Sequence, residues 1–403
     1  MLTLRDDRIL DLGSGKSQVA DHDLGDAILF PQFINAHTHL EFSELQRPLG
    51  NPQMEFAQWL MEVIAWRRSR SQGIPPDELC RFKRRAIAAG LAESSAAAVA
   101  AVGEIGSAPC RADDYADSAA ACVVFHERLG LATESLDGTQ AELEQDLVGF
   151  APAFQPLDLE RVDRPDPCAR SRRLRAGISP HAPYSTHFEL VRRLVDCARE
   201  RGLPVAMHLA ESRSELELLE ERHGPLRRLL EALDVWRADA FPAGASIRAY
   251  LGLLAAAPRS LIIHGNYLTE SDLDFVARHR ERMSIVYCPR THAYFGHEPY
   301  PLREMLQRRI PVALGTDSRA SNPDLSIAAE VCFAAARFPQ VESAAWLRMV
   351  TADAARALGV EREWGTLTIG KRAALASVVI PSAATEDVHH LWLACLENCR
   401  PVA

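Results

Sequence analysis

The chain is poor in lysine. Of its 45 basic residues only Lys16, Lys83 and Lys371 are lysines, so chemistry that needs an amine side chain has three candidates. Long apolar runs are missing too: none approaches the ~18 residues of a membrane span. The opening MLTLRDDRILDL has neither the basic start nor the apolar stretch of a secretory leader. The nine cysteines contain no C-x-x-C pair, and at 403 residues that reads as reduced thiols without a disulfide framework. Positive charge is not in excess. With 45 basic against 54 acidic residues the net charge is −9, which argues against a general binder of nucleic acid or anionic membrane. These absences predict a cytoplasmic protein.

What is present is an ordinary globular composition, 47% hydrophobic and 25% charged, enough to bury a large core. At roughly 150 residues per domain the length gives two to three domains, fewer if one barrel of about 250 residues is included. Short apolar runs recur over 27–36, 96–105, 121–125, 174–179, 203–207, 261–264, 283–288 and 311–316. Amphipathic helical patterns lie between them, as at 54–70, 187–201 and 270–282. Strands alternating with helices make a parallel sheet, and eight such units predict an α/β fold, a (β/α)8 barrel with its chemistry at the strand C-termini. Residues 1–28 and 361–403 fall outside that pattern and are expected to form one small β-sheet domain from both chain ends, flanking a barrel over 29–360. A long Pro-, Asp- and Arg-rich connection over 138–173 is expected to be a substrate loop, a lid or disorder.

Candidate ligands sit at the ends of these strands. His37 and His39 in INAHTHLE are two apart, so on a strand both imidazoles point to one face and can reach one metal ion. Alone, H-x-H is weak. His208 after the fifth strand, His264 after the sixth and Asp317 after the eighth strengthen it. Any one of these histidines could be an ordinary buried core residue, but four histidines and an aspartate at strand ends are hard to explain as packing. Imidazole and carboxylate ligands suit one catalytic Zn²⁺ or Fe²⁺. Glu211, three residues past His208, has the placement of a proton shuttle, or else of a helix N-terminal acid ahead of ESRSELELLEER.

INAHTHLE, SPHAPYS, HLAES, IIHGNYL, CPRTH and LGTDSRASN, in this order, resemble the amidohydrolase superfamily in its cytosine-deaminase-like and chlorohydrolase-like branch. The resemblance covers essentially the whole chain. It implies one metal held by His37, His39, His208 and Asp317, with His264 on the attacking water or substrate and Glu211 as the proton shuttle. His181, in the P-H-x-P-Y motif, would contact substrate, or else be a loop histidine. Hydrolytic deamination of a purine-like or nucleoside-like amine is the implied reaction, with Asp317 also taking a proton and His264 stabilising the developing alkoxide. The segments FAQWL and CPRTHAYFGH resemble proteins near the aminodeoxyfutalosine deaminases, which would place the chain in menaquinone synthesis. The resemblance also implies a homodimer. Branches with two metals bridged by a carboxylated lysine after the fourth strand are excluded, because that strand ends in GISPHAPYS and the lysines lie elsewhere.

Two alternatives remain beside deamination: hydrolysis of another C–N, C–Cl or cyclic amide bond with the same ions, and a barrel without activity serving as a scaffold. The presence of every chemical position argues against the scaffold. The remaining candidates are weaker. His292 and His297 either shape the pocket or lie behind it. Phe56 and Trp59 have the aromatic faces to stack on a planar base, but their amphipathic spacing favours helix packing. Cys395 and Cys399 are expected to be buried thiols on a helix, and His126–Glu127 to border the pocket. Compared with the family, the segment before the first barrel strand is short, which points to a missed upstream start codon. GKRAAL also lacks the usual aspartate.

Overall fold

The structure is a computed structural model; it describes residues 1–13, 20–116, 118–148, 150, 173–381 and 387–402. Eight parallel strands form a nearly closed barrel: β4 (Phe33–Thr38), β5 (Val99–Gly106), β6 (Ala121–Arg128), β7 (Leu174–Pro180), β8 (Val205–Leu209), β9 (Ser260–His264), β10 (Met283–Tyr287) and β11 (Val312–Leu314). They pair in sequence order, as right-handed βα crossovers dictate. Three strands precede them: β1 (Leu2–Arg5), β2 (Arg8–Leu12) and β3 (Ala27–Pro31). Two follow, β12 (Leu375–Val379) and β13 (Arg400–Pro401).

The single sheet expected from the chain ends is in fact two. β1 and β2 form an antiparallel hairpin, while β3 pairs with β12 and β12 with β13. The hairpin is tied to the C-terminal segment through Ile9 N–H to the Lys371 carbonyl at 2.9 Å and Gly370 N–H to the Ile9 carbonyl at 2.8 Å. The run expected as one strand over 27–36 is likewise divided. Its first half belongs to the β12 sheet and its second half to the barrel, with Gln32 at the switch. An uninterrupted apolar run carries no mark of the point where a chain changes sheets.

Alternation along the strands builds two apolar layers. Val124, Ile262 and Ile285 pack outward against helices, including Leu190 and Leu194 of the helix Phe188–Arg201. Val123, Ile263 and Val286 fill the interior, which the helix Ala352–Leu358 stoppers at the strand N-termini. The opposite mouth is walled by the helices α1 (Phe56–Ser71), α2 (Pro225–Ala232) and the loops after the strands. Of the connection over 138–173, the start is helical (Leu136–Asp146) and residues 149 and 151–172 lie outside the described residues, as do Lys16 and Cys168. Cys395 and Cys399 are half-buried rather than buried, and they flank the short turn Leu396–Asn398. No helix among the described residues is long and apolar enough to cross a membrane.

Candidate active site

The site is assembled at the C-terminal ends of the barrel strands. β4 ends with His37 inside the strand and His39 just past it; their ring centroids lie 4.9 Å apart. His208, in β8, stands 5.0 Å from His37 and 5.3 Å from His39, ring centre to ring centre. Asp317, three residues past β11, brings Oδ1 to 3.4 Å from His37 Nε2 and 3.6 Å from His39 Nε2.

His264 reaches this cluster because the chain breaks its own alternation. Ile262, two residues earlier, packs outward, and a regular strand would send His264 the same way. At φ 69° the backbone of His264 is left-handed, and the ring turns in to 5.5 Å from His208. Asp317, at φ 56°, is left-handed as well. Such non-glycine conformations cost on the order of 1 kcal/mol and gather at sites that need a side chain re-aimed.

The donor set fits a cation. Both ring nitrogens of His37 are buried and have no hydrogen-bond partner. Nδ1 of His208 lies 2.9 Å from the His181 carbonyl, to which it donates, leaving Nε2 as a lone pair. The ligand atoms of His37, His39 and His208 lie within 4.8 Å of one another, as do those of His37, His264 and Asp317. Burial lowers the pKa of His39 and His264 well below the usual imidazole range and brings His208 down to about 3. Neutral imidazoles are what a metal requires. Burial pushes the Asp317 carboxyl up, but the His37 ring 3.4 Å away and the other imidazoles around it outweigh burial and hold the group ionised. Ser321 Oγ adds a donor to Asp317 Oδ2 at 3.1 Å.

Glu211 stands over this floor. Its Oε1 is 3.4 Å from His264 Nε2, and burial, then the charges of Asp317 and Glu215, keep its carboxyl well above the ordinary carboxylate range. His181 packs 4.9 Å from the His208 ring, with Nδ1 2.5 Å from Ser185 Oγ. Glu127 approaches His181 Nε2 at 3.9 Å, so it borders the pocket as expected, whereas His126 turns away and packs edge-on to Phe150 at 4.5 Å. His292 and His297 do not line the cavity; they meet edge-on at 5.4 Å, His297 beside the Tyr267 hydroxyl.

All this opens into a cavity of about 390 Å³. Its upper walls are apolar, with Phe56 and Trp59 of α1 facing Leu229 and Leu230 of α2. Helical spacing favoured packing over base stacking for Phe56 and Trp59; they both pack and line the cavity. Sequence reasoning missed Arg67, which also lines it and pairs with Glu41, and Glu104, whose oxygens accept the Leu40 N–H at 3.1 and 3.0 Å directly behind His39. A lone carboxylate inside the apolar run 96–105 was the available signal for Glu104. Lys83 is spent on the Pro109 carbonyl at 2.8 Å and Lys371 on that of Trp364 at 3.4 Å.

A parallel eight-stranded barrel whose strand ends converge four histidines, an aspartate and a glutamate on one cavity defines a hydrolase-type barrel with a candidate metal centre. The model of the amidohydrolase family matches residues 28–392, and the chain belongs to that family. An aminodeoxyfutalosine deaminase of Nitratiruptor sp. is 27% identical over 378 residues, covering 93% of this chain and 84% of its own. Among solved structures, the Helicobacter pylori aminofutalosine deaminase in complex with methylthio-coformycin superposes with TM-score 0.77 at 20% identity, over 99% of this chain and 91% of that one. A zinc-bound adenosine deaminase of Xanthomonas campestris gives TM-score 0.65 at 22% identity, over 93% of this chain and 77% of that one.

Proposed function

We propose that the chain is a mononuclear metal-dependent aminohydrolase that deaminates a purine-like nucleoside, such as an adenosine derivative or aminodeoxyfutalosine. The observation that carries this reading is the convergence of His37, His39, His208 and Asp317 beneath a buried Glu211 that is 3.4 Å from His264. Those four side chains would hold the ion, Zn²⁺ or Fe²⁺, which when bound supplies Lewis-acid activation of water at neutral pH.

The remaining work falls to the chain itself. Glu211, whose burial favours the protonated carboxyl, delivers a proton to the ring nitrogen beside the amino-bearing carbon, making that carbon electrophilic. Asp317 stays ionised and accepts the proton released by the attacking water. His264, on the Glu211 side, stabilises the oxygen as it adds to the ring. The proton held by Asp317 then departs with the leaving ammonia, the hydroxyl proton of the adduct returns to Glu211, and the amino group is replaced by a carbonyl oxygen. His181 contacts the ring from the β7 side. Phe56 and Trp59 offer aromatic faces to a planar base, and the apolar wall from α2 receives its substituent.

An ammonia-release screen of the zinc-loaded protein against adenosine derivatives, aminodeoxyfutalosine, guanine and cytosine tests the reading. Turnover is expected with the adenosine-type substrates. Metal-replete protein that releases ammonia from none of them would overturn it, and would favour another hydrolysable bond or a scaffold role.

A further inference from the structure

Glu215 is fully buried in the helix Arg213–Glu221, four residues beyond Glu211, and does not line the cavity. Its two oxygens are committed to backbone: Oε1 accepts the Ala210 N–H at 2.9 Å and Oε2 the Glu211 N–H at 2.8 Å. Ala210 is left-handed at φ 54°, an uncommon conformation for a residue with a Cβ. On the other side of the same residue, Asn266 Nδ2 donates to the Glu211 carbonyl at 2.8 Å. The Glu215 N–H is in turn capped by Ser212 Oγ at 3.2 Å. Glu211 is thus fixed at its N–H and its C=O by two side chains that do not line the cavity. Burial raises the Glu215 carboxyl to about 7, while the backbone N–H groups it accepts from favour its ionised form.

From this geometry we propose that Glu215 is the positioning residue for Glu211, its carboxylate holding the strained turn 209–212 so that the Glu211 carboxyl stays over the metal floor. The inference rests on the reading of Glu211 as the proton shuttle. Only a carboxylate offers acceptors on both oxygens. In Glu215→Gln the amide NH₂ faces one of the two N–H groups, and the turn loses one bond and gains an opposed pair of donors.

The experiment compares wild type, Glu211→Gln, Glu215→Gln and the double variant at pH 8 on one deaminated substrate, with bound metal measured for each. Glu215→Gln is expected to lower kcat at least tenfold with KM within twofold and metal content unchanged. The double variant is expected to be no slower than Glu211→Gln alone, because both changes remove one contribution. Losses that multiply in the double variant, or wild-type kcat in Glu215→Gln, would overturn the inference while leaving the shuttle intact. Full activity in Glu211→Gln would instead overturn the reading beneath it. If Glu215→Gln does not fold, Glu215→Asp keeps the acceptors but shortens the reach, and the same split of kcat from KM is expected; an Asp variant with unchanged kcat overturns the proposal.

Discussion

His39 Nε2 and His208 Nε2 face each other across 3.2 Å. Two imidazole nitrogens that close share either a proton or a ligand; with its own proton spent on the His181 carbonyl, His208 turns a lone pair towards His39. Ligands about 2.05 Å from a tetrahedral zinc ion sit about 3.3 Å apart, so the pair has the spacing of two bound corners.

Metal removal follows from that spacing. Chelation is expected to abolish turnover and lower the melting temperature, and zinc to restore both. Ion at 1,000 times its Kd contributes about 4 kcal/mol of stability. His208→Ala is expected to purify with little metal; elemental analysis checks it, and a full ion per chain in that variant would contradict the assignment.

Glu211→Gln keeps every proposed ligand and removes only the transferable proton. It is expected to bind metal as wild type does while kcat falls about 10²- to 10⁴-fold. Steady-state kinetics beside metal analysis read both quantities.

The aromatic wall makes a separate prediction. Phe56 stacks near Trp59 at 5.9 Å and meets Phe295 at 5.5 Å. Phe56→Leu retains most of the volume but loses the ring, and about 0.5–1.5 kcal/mol of aromatic contact goes with it. KM is expected to rise about two- to tenfold with kcat little changed. A fall in kcat at constant KM would place Phe56 in the chemistry instead.

Acid should weaken the fold through His126. Its ring nitrogens are buried without partners, and burial lowers its pKa to about 3. A histidine with a depressed folded pKa contributes stability present above its unfolded pKa of about 6.5 and lost as pH falls towards 3, because the unfolded chain binds the extra proton. The slope is about 1.4 kcal/mol per pH unit for this one group. His126→Leu is expected to flatten the urea-denaturation stability profile between pH 6.5 and 4 by about that much; an unchanged slope would show that the group titrates normally.

Much of this was readable from one sequence because the barrel repeats itself. Eight apolar runs spaced by amphipathic segments gave the strand order, and ligands at strand ends gave the positions that meet. His37, His39, His208, His264 and Asp317 are adjacent in space because parallel strands end on one face. What stayed hidden depends on backbone detail. Residues 27–36 switch sheets at Gln32 without any change in hydrophobicity. Glu215 lies in ESRSELELLEER among several other acids, and nothing in that run marks it out, although in the fold it shares the buried helix face of Leu218 and Leu219. Phe56 and Trp59 obey helical spacing whether the face beyond them is core or cavity.

Gly315 supplies a test at the join between the first and last barrel strands. A Cβ there would stand 2.8 Å from His37 Cβ and 2.9 Å from the His37 carbonyl oxygen. Gly315→Ala is expected to push β4 and β11 apart, cost about 1–3 kcal/mol and reduce bound metal together. Melting curves and metal content read this out; a variant stable and fully metallated would refute the tight fit.

That join differs from every other pair of neighbours in the barrel. β4 and β11 share no ladder: they meet through the Thr38–Asp317 bridge, the Asp317 N–H to the His37 carbonyl at 3.0 Å, and the Asn35 amide on Thr316 Oγ1 at 2.8 Å. The residues that close the ring are therefore neighbours of the residues that would grip the ion, with His37 and His39 on one lip and Asp317 on the other. An ion held between the two lips would work as a clasp, coupling its occupancy to closure of the ring. Amide exchange along β4 and β11 would slow as the ion binds, and a loosened clasp would cost affinity at a distance from any ligand atom.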